Sequence, residues 1–250
     1  MSVLAETPAP VAPVTLQIQG ISKRFGGVQA LDDVAVDLRK EVSGLIGPNG
    51  SGKTTLFNCI AGILRPDSGS ISWNGVEITK QPMPVRAAAG IVAVPQNPSI
   101  FDRYTVFENV RLAAELPHGV AREPGVSAVE SIDQILDTVG LADVRDVRAG
   151  DISYGHQRLL NVGLALAVKP KALLLDEPGA GLNDIDKHRL AAVVNKLRDA
   201  GLSVVIIEHD VRFLFELSDR VVVLDAGHLI AQGTPDEIRA DKEVIRVYLG

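Results

Sequence analysis

The chain has 250 residues, 46% of them hydrophobic, which is typical of a globular protein with a sizeable core. Its net charge of −6 argues against general nucleic-acid binding, because such binding requires a basic face. A single cysteine excludes a disulfide framework within the chain, and no apolar run approaches the roughly 20 residues needed to cross a membrane.

The N-terminal region combines a predicted tail with predicted strands. Residues 1–13 are rich in proline and alanine, which predicts a disordered tail, and they lack the basic start and apolar centre of a secretory signal. The segments VTLQIQGISKRF (14–25) and VAVDL (34–38) then alternate apolar and polar residues, which predicts antiparallel strands. Cys59 lies in an apolar, helix-like context and is predicted to be a small buried residue in a reducing compartment.

Short apolar runs alternate with helix-like segments over much of the chain. The predicted strands are VSGLIG (42–47), AGIVAVPQ (89–96), KALLLDEP (171–178), LSVVIIEHD (202–210) and RVVVLDAG (220–227). Continuous apolar strands between helices indicate a parallel sheet that is covered on both faces.

The middle of the chain has a different pattern. Apolar residues recur at helical spacing over 104–116, 126–141 and 155–168. Residues 97–169 are therefore predicted to form a helical block that interrupts an α/β domain.

The stretch GPNGSGKT matches the phosphate-loop pattern G-x-x-x-x-G-K-[ST], and it lies between a predicted strand and a predicted helix over 52–64. Its backbone N–H groups and the helix N-terminus can hold phosphate oxygens, while Lys53 reaches the β- and γ-phosphates and Thr54 ligates Mg²⁺. The predicted phosphate-binding residues are Gly47, Pro48, Asn49, Gly50, Ser51, Gly52, Lys53, Thr54 and Thr55.

The loop alone does not distinguish a kinase, a GTPase and an ATPase. Guanine selection usually needs N-K-x-D, and the nearest run, NKLR (195–198), has arginine where the aspartate is required and lies in a helix-like segment. The sequence therefore favours adenine or loose base selection.

Carboxylates and a histidine follow two buried strand runs. Asp176 suits the second shell of Mg²⁺, and Glu177 suits the polarisation of a water for attack on the γ-phosphate. His209 ends another apolar run, and because ligands gather at the carboxyl ends of parallel strands, it falls on the same edge as the loop, Glu177 and Gln96. This combination predicts nucleotide hydrolysis, with Lys53, Glu177 and His209 as the catalytic residues.

With DISYGHQRLL (151–160), these motifs resemble the ATP-binding subunits of ABC transporters over nearly the whole chain after the tail. The resemblance implies an α/β fold: a P-loop NTPase (RecA-like) core with a mainly parallel sheet, an N-terminal antiparallel β subdomain and an inserted α-helical subdomain. It implies one nucleotide-binding domain over 14–250, with the core in 14–96 and 170–250 and the helical subdomain in 97–169.

The resemblance also assigns the remaining site residues. Ser153, Gly155 and His156 head a helix that would bind the ATP of a second ATPase chain, identical or sibling, in a head-to-tail dimer. Phe25 resembles the aromatic that stacks on adenine. Gln96 resembles the glutamine that senses Mg²⁺ and the γ-phosphate. The resemblance therefore adds Gln96 to the catalytic residues, and the implied metal residues are Thr54, Gln96 and Asp176.

Several motifs, including SYGHQR, DEPGAGLN and the ending VIRVYLG, resemble those of the branched-chain amino-acid importer type. Importers of urea and short amides share much of this sequence. Three positions depart from the family pattern: Tyr154 replaces a glycine, His156 replaces a glutamine or glutamate, and Asn183 stands where many relatives have aspartate. His156 is expected to be partly protonated near neutral pH. The segment DLRKEVSGLIG is one residue shorter than the strand–Pro-Gly–strand segment that usually precedes the phosphate loop in this family. This difference predicts a tightened hairpin.

The resemblance implies an ATPase that powers solute import through transmembrane permease subunits, served indirectly by a solute-binding protein, at the cytoplasmic face of the cell membrane. Candidate residues for docking on the permease are Ile100, Phe101 and Tyr104, although packing of the helical block explains them equally well. The alternative is a non-transport ABC ATPase that clamps nucleic acid or ribosomes. The acidic balance and the single copy of each motif disfavour it. A small-molecule kinase is disfavoured by Glu177 and by DISYGHQRLL (151–160), which resembles the signature segment of the family and is called the signature segment below.

Overall fold

The computed structural model describes residues 14–117, 119 and 127–249, so the predicted tail over 1–13 lies outside the described residues. The strands are β1 (Val14–Phe25), β2 (Val28–Arg39), β3 (Val42–Ile46), β4 (Ser68–Trp73), β5 (Val76–Glu77), β6 (Ile91–Val94), β7 (Ala172–Asp176), β8 (Ser203–Ile207), β9 (Arg220–Asp225) and β10 (His228–Gly233). The helices are α1 (Lys53–Ala61), α2 (Met83–Ala88), α3 (Val106–Ala114), α4 (Ala128–Val139), α5 (Tyr154–Leu166), α6 (Asp184–Asp199), α7 (Val211–Leu217), α8 (Pro235–Ala240) and α9 (Lys242–Val244), followed by a π-helical turn (Ile245–Leu249).

Two sheets organise the molecule. A six-stranded sheet has the order β10-β9-β3-β8-β7-β6, and its neighbours pair in parallel except for β10 with β9. A four-stranded sheet has the order β2-β1-β4-β5 and is antiparallel throughout. This mixed α/β architecture confirms the predicted parallel sheet and the predicted antiparallel N-terminal strands.

Both faces of the parallel sheet are buried, and successive side chains serve different cores. On β8, Val204 and Ile206 join the core formed with the helices α3 to α7, whereas Val205 and Ile207 join the core formed with α1 and the antiparallel sheet. This alternation follows from the two-residue period of a strand, and it explains why four consecutive residues of β8, over 204–207, are apolar. Cys59 is buried in the second core, and burial raises the pKa of its thiol to about 11.

The prediction of a hairpin before the phosphate loop is wrong. Only two residues separate β2 from β3, but the two strands belong to different sheets. All five residues of β3 are buried. The strand is thereby drawn into the centre of the parallel sheet, between β8 and β9, rather than back along β2.

Arg86 supports the helix that follows the phosphate loop. Its side chain is fully buried and donates hydrogen bonds to five carbonyls, those of Cys59, Ile60, Ile78, Thr79 and Gln81. Two of these acceptors lie in the last turn of α1, where a positive charge also complements the helix dipole.

Replacing Arg86 by methionine is expected to lower the free energy of unfolding by about 3 kcal/mol or more, because the buried carbonyls lose charged donors. Denaturant titration measures this change. Arg103→Met is the control at an exposed arginine, where we expect a change within about 0.5 kcal/mol. Equal loss in the two variants would contradict the role assigned to Arg86.

None of the helices in the described part of the chain has the length and apolar character needed to span a bilayer.

Candidate functional site

The carboxyl ends of four adjacent parallel strands meet at one edge of the six-stranded sheet. The phosphate loop follows β3, His209 follows β8 closely, Glu177 directly follows β7, and Gln96 follows β6 closely. Because these strands are neighbours in the order β3-β8-β7-β6, the sheet brings all four predicted features to one edge.

The loop between β3 and α1 curls around the ammonium group of Lys53. Lys53 Nζ donates hydrogen bonds to the Gly47 carbonyl at 2.7 Å and the Pro48 carbonyl at 2.9 Å. Burial lowers the pKa of Lys53, and the nearby Glu177 charge acts in the opposite direction. Gly52 has a φ of +102°, and a Cβ there would lie 2.5 Å from the Ala30 carbonyl oxygen, so the curl requires glycine at this position.

A cleft of about 330 Å³ lies over this loop. It is lined by residues 49–55 together with Val28, Ala30, Ile207 and His209. The first turn of α1 leaves N–H groups without intrahelical acceptors, and the hydroxyl of Ser51 is buried without a hydrogen-bond partner among the described residues. Such free donors at a helix N-terminus fit phosphate oxygens, so the loop can hold a nucleotide phosphate.

Glu177 is held between two of the other predicted catalytic residues. Its Oε2 accepts a 2.6 Å hydrogen bond from Gln96 Nε2, and its Oε1 lies 2.8 Å from His209 Nε2. The Glu177 backbone has a φ of +46°, which is uncommon for a residue with a side chain and typical of functional positions. Two residues distant in sequence, Gln96 and His209, thus converge on the Glu177 carboxylate.

Asp176 lies one residue before Glu177, at the end of β7. Burial raises the pKa of its carboxyl, the Glu177 charge raises it further, and His209 lowers it. Among the described residues there is no group of three or more His, Cys, Asp or Glu side chains that could hold a metal by themselves. The donor set of Asp176, Gln96 and the Thr54 hydroxyl fits Mg²⁺, because this ion is commonly bound by few protein ligands together with substrate phosphates.

Phe25 lies beside the cleft at the end of β1. Its side chain is 46% exposed, and the ammonium of Lys23 lies 5.6 Å from the centre of its ring. Phe25 pairs across the strands with Val28, which lines the cleft. An exposed aromatic face at this position can stack on a nucleotide base.

Ser153, Gly155 and His156 do not line the cleft of their own chain. Ser153 is the N-cap of α5, and its hydroxyl accepts a 3.2 Å hydrogen bond from the His156 N–H. The His156 Nε2 lies 3.3 Å from Nη1 of Arg189, which is itself paired with Asp186. The signature segment therefore packs against α6, whose N-cap is Asn183.

Gly155 is in very close contact with α6, since a Cβ there would collide with the carboxylate of Asp186. Gly155→Ala is therefore expected to push α5 and α6 apart, to cost about 1–3 kcal/mol of stability and to lower ATP hydrolysis by about tenfold. Steady-state phosphate release and denaturant titration measure the two effects.

The matched control is Gly163→Ala in the same helix. A Cβ at Gly163 would make ordinary contacts at 3.6 Å with Ile135 and Val139, so alanine is expected to be neutral or to stabilise the helix by up to about 1 kcal/mol. If both variants behaved alike, the close contact of Gly155 would not matter for function.

The candidate docking residues separate into two groups. Ile100 is partly buried and packs against the main core, which favours the packing interpretation for that residue. Phe101 and Tyr104 are about half exposed, and their rings meet edge to face with centroids 5.8 Å apart.

Two residues at the site were not predicted from the sequence. Glu208 is buried beside His209, and its carboxylate binds the loop that follows Glu177. Its position after an apolar strand is the same signal that identified Asp176. Tyr248 near the C-terminus is half-buried, and the N–H of Gly47 is directed at its phenolic oxygen; burial raises the pKa of Tyr248 and this N–H lowers it. No local pattern in the sequence indicates the contact between Gly47 and Tyr248.

Comparisons with known proteins agree with this geometry. Residues 31–180 match the family model described as "ABC transporter", and residues 228–250 match the model described as "Branched-chain amino acid ATP-binding cassette transporter". The high-affinity branched-chain amino acid transport ATP-binding protein BraF of Pseudomonas aeruginosa is 37% identical over 249 residues, covering 94% of this chain and 97% of that protein. The lipopolysaccharide export system ATP-binding protein LptB of Haemophilus influenzae is 36% identical over 236 residues, with the same coverage.

A solved structure shows the same fold. The ADP form of MJ1267, an ATP-binding cassette of an ABC transporter, superposes with a TM-score of 0.86 at 31% identity, covering 96% of this chain and all of that chain. The phosphate loop, the residues gathered around Glu177 and these similarities lead to one conclusion: the chain belongs to the ABC transporter ATP-binding family, and it is an ATP-binding and ATP-hydrolysing subunit.

Proposed function

We propose that this ATPase powers the uptake of branched-chain amino acids or related small polar solutes through permease subunits at the inner face of the cell membrane. The observation that carries the proposal is the match of residues 228–250 to the branched-chain amino acid transporter model. Support also comes from BraF and from LivG of Salmonella typhimurium, which is 36% identical over 248 residues.

In the proposed mechanism the chain first binds the phosphates of ATP. Lys53 exchanges its two loop carbonyls for β- and γ-phosphate oxygens, and the N–H groups at the start of α1 donate to the same phosphates. Phe25 stacks on the adenine. Thr54 and Asp176, with Gln96, would hold Mg²⁺, which when bound neutralises phosphate charge.

Hydrolysis then depends on Glu177. Its carboxylate orients the attacking water, and His209, already 2.8 Å away, stabilises the phosphoryl group that is transferred. Gln96 donates to Oε2 of that carboxylate through its Nε2, so its amide oxygen is the atom that would ligate Mg²⁺. Catalysis in this account is positioning plus electrostatic stabilisation.

A second ATPase chain, identical or sibling, completes the site. Ser153 and Gly155 of one chain lie at the N-terminus of α5, and in the proposed dimer they bind the γ-phosphate held by the other chain. Loss of that phosphate reopens the dimer, and the helical segment 97–169 passes the motion to the permease. A solute-binding protein would deliver the solute from the other side.

The second candidate is lipopolysaccharide export, since LptB is as similar to this chain as LivG is. Purification of the native complex from membranes, followed by identification of its subunits and assay in vesicles, separates the two. The proposal expects permease subunits that support ATP-dependent leucine uptake. A complex that extracts lipid and takes up no amino acid would overturn it.

A further inference from the structure

The loop carrying Glu177 and the loop carrying His209 are joined by a buried carboxylate that the mechanism above does not use. Glu208 is only 3% exposed, although it lies at the same edge as the catalytic residues. Its Oε1 accepts a 2.5 Å hydrogen bond from the Gly179 N–H, and its Oε2 accepts a 3.1 Å bond from the His209 N–H. One side chain thus binds both loops.

The partners of Glu208 are backbone N–H groups rather than a cation. Burial raises the pKa of its carboxyl, and the N–H groups of Gly179, His209 and Asp210 act in the opposite direction. A buried carboxylate costs free energy that an apolar side chain at the same position would avoid. Its placement is therefore better explained by the two loops that it holds than by core stability.

The close contact with Gly179 supports the same interpretation. A Cβ at Gly179 would lie 2.6 Å from Glu208 Oε1 and 2.8 Å from Cε1 of Phe213, so any larger residue there displaces the carboxylate. Gly179 lies two residues after Glu177, whose own N–H donates to the Ile207 carbonyl at 2.9 Å. The Glu177 carbonyl accepts a 3.1 Å bond from the Ala180 N–H, so the main chain around Glu177 is fixed by two backbone bonds and by Glu208.

We propose that Glu208 is a positioning residue for ATP hydrolysis: it fixes the Glu177 loop against the His209 loop, so that His209 Nε2 stays in contact with the Glu177 carboxylate. This inference rests on the proposed catalytic roles of Glu177 and His209. It assigns to Glu208 an effect on turnover and none on nucleotide affinity, because Glu208 does not line the cleft over the phosphate loop.

The test compares Glu208→Gln and Gly179→Ala with the wild type. Glutamine keeps the volume but turns an amide NH₂ toward one of the two N–H donors, and alanine displaces the carboxylate from the other side. Both are expected to lower kcat for ATP by about tenfold or more while the Kd for ATP stays within about twofold. Wild-type kcat in both variants would overturn the inference.

Glu41→Gln is the matched control. Glu41 is a partly buried carboxylate whose Oε1 lies 3.3 Å from Arg220 Nε, next to the first residue of β3 and hence at the opposite end of the sheet. Its loss is expected to change stability and leave kcat unchanged. A fall in kcat equal to that of Glu208→Gln would reduce the role of Glu208 to general stability and overturn the inference.

A measurement on the wild type keeps the inference testable even if the variants fail to fold. The amide protons of Gly179 and His209 are expected to be protected from hydrogen exchange, because both donate to the buried Glu208 carboxylate. Rapid exchange of both would overturn the inference. Glu177→Gln, assayed in parallel, separates the two proposals: undiminished hydrolysis in that variant refutes the catalytic role of Glu177 itself.

Discussion

Glu177→Gln is expected to lower ATP hydrolysis by at least about 100-fold and to leave ATP binding intact. Glutamine keeps the size of the side chain and one oxygen, but its amide cannot polarise a water as a carboxylate does. The phosphate loop, which supplies most of the contacts to ATP, is unchanged. Phosphate release at saturating ATP measures the rate, and titration with a fluorescent ATP analogue measures the affinity.

Glu216→Gln provides the control for this substitution. Glu216 is an exposed carboxylate on α7, and its replacement is expected to change neither the rate nor the affinity. Undiminished hydrolysis by Glu177→Gln would refute the assignment of Glu177, whereas loss of ATP binding would show that its main contribution is to affinity.

Lys53→Ala is expected to weaken ATP binding by about 10- to 100-fold, because each hydrogen bond from a charged donor contributes roughly 1.5–3 kcal/mol. The ammonium already lies inside the loop, bound to the carbonyls of Gly47 and Pro48. Its removal takes away the positive charge that faces the β- and γ-phosphates. Equilibrium binding of ATP and of ADP measures the loss.

The control is Lys40→Ala. Lys40 is exposed and precedes β3, so it lies at the opposite end of that strand from the phosphate loop. Its removal deletes one positive charge without touching the loop. Equal affinities for ATP in the two variants would mean that Lys53 does not contact the phosphates.

The parts of the site that follow a local pattern could be predicted from the sequence. The phosphate loop is a backbone structure set by its glycines, and the strand ends at Glu177 and His209 follow fully apolar runs. Because β3, β8, β7 and β6 are neighbours and parallel, correct strand assignment was enough to place Gln96, Glu177 and His209 at one edge.

The features that could not be predicted depend on contacts between segments that are distant in sequence. The hairpin expected before the loop fails because burial of β3, rather than chain proximity to β2, selects its partners. The contact of His156 with Arg189 joins two helices 33 residues apart in sequence. The burial of Glu208 could not be predicted from its position after an apolar strand, because it depends on the Gly179 loop that folds over it.

In the proposed mechanism, the phosphate loop is half of a site that a second ATPase chain completes when the two chains close on ATP. The most direct measurement is the mass in solution of Glu177→Gln, alone and together with any sibling ATPase from its native complex, in the presence of Mg²⁺ with ATP, with ADP or with no nucleotide. We expect a particle of two ATPase chains with ATP, and single chains with ADP or with no nucleotide. Single chains at saturating ATP in both preparations would contradict it.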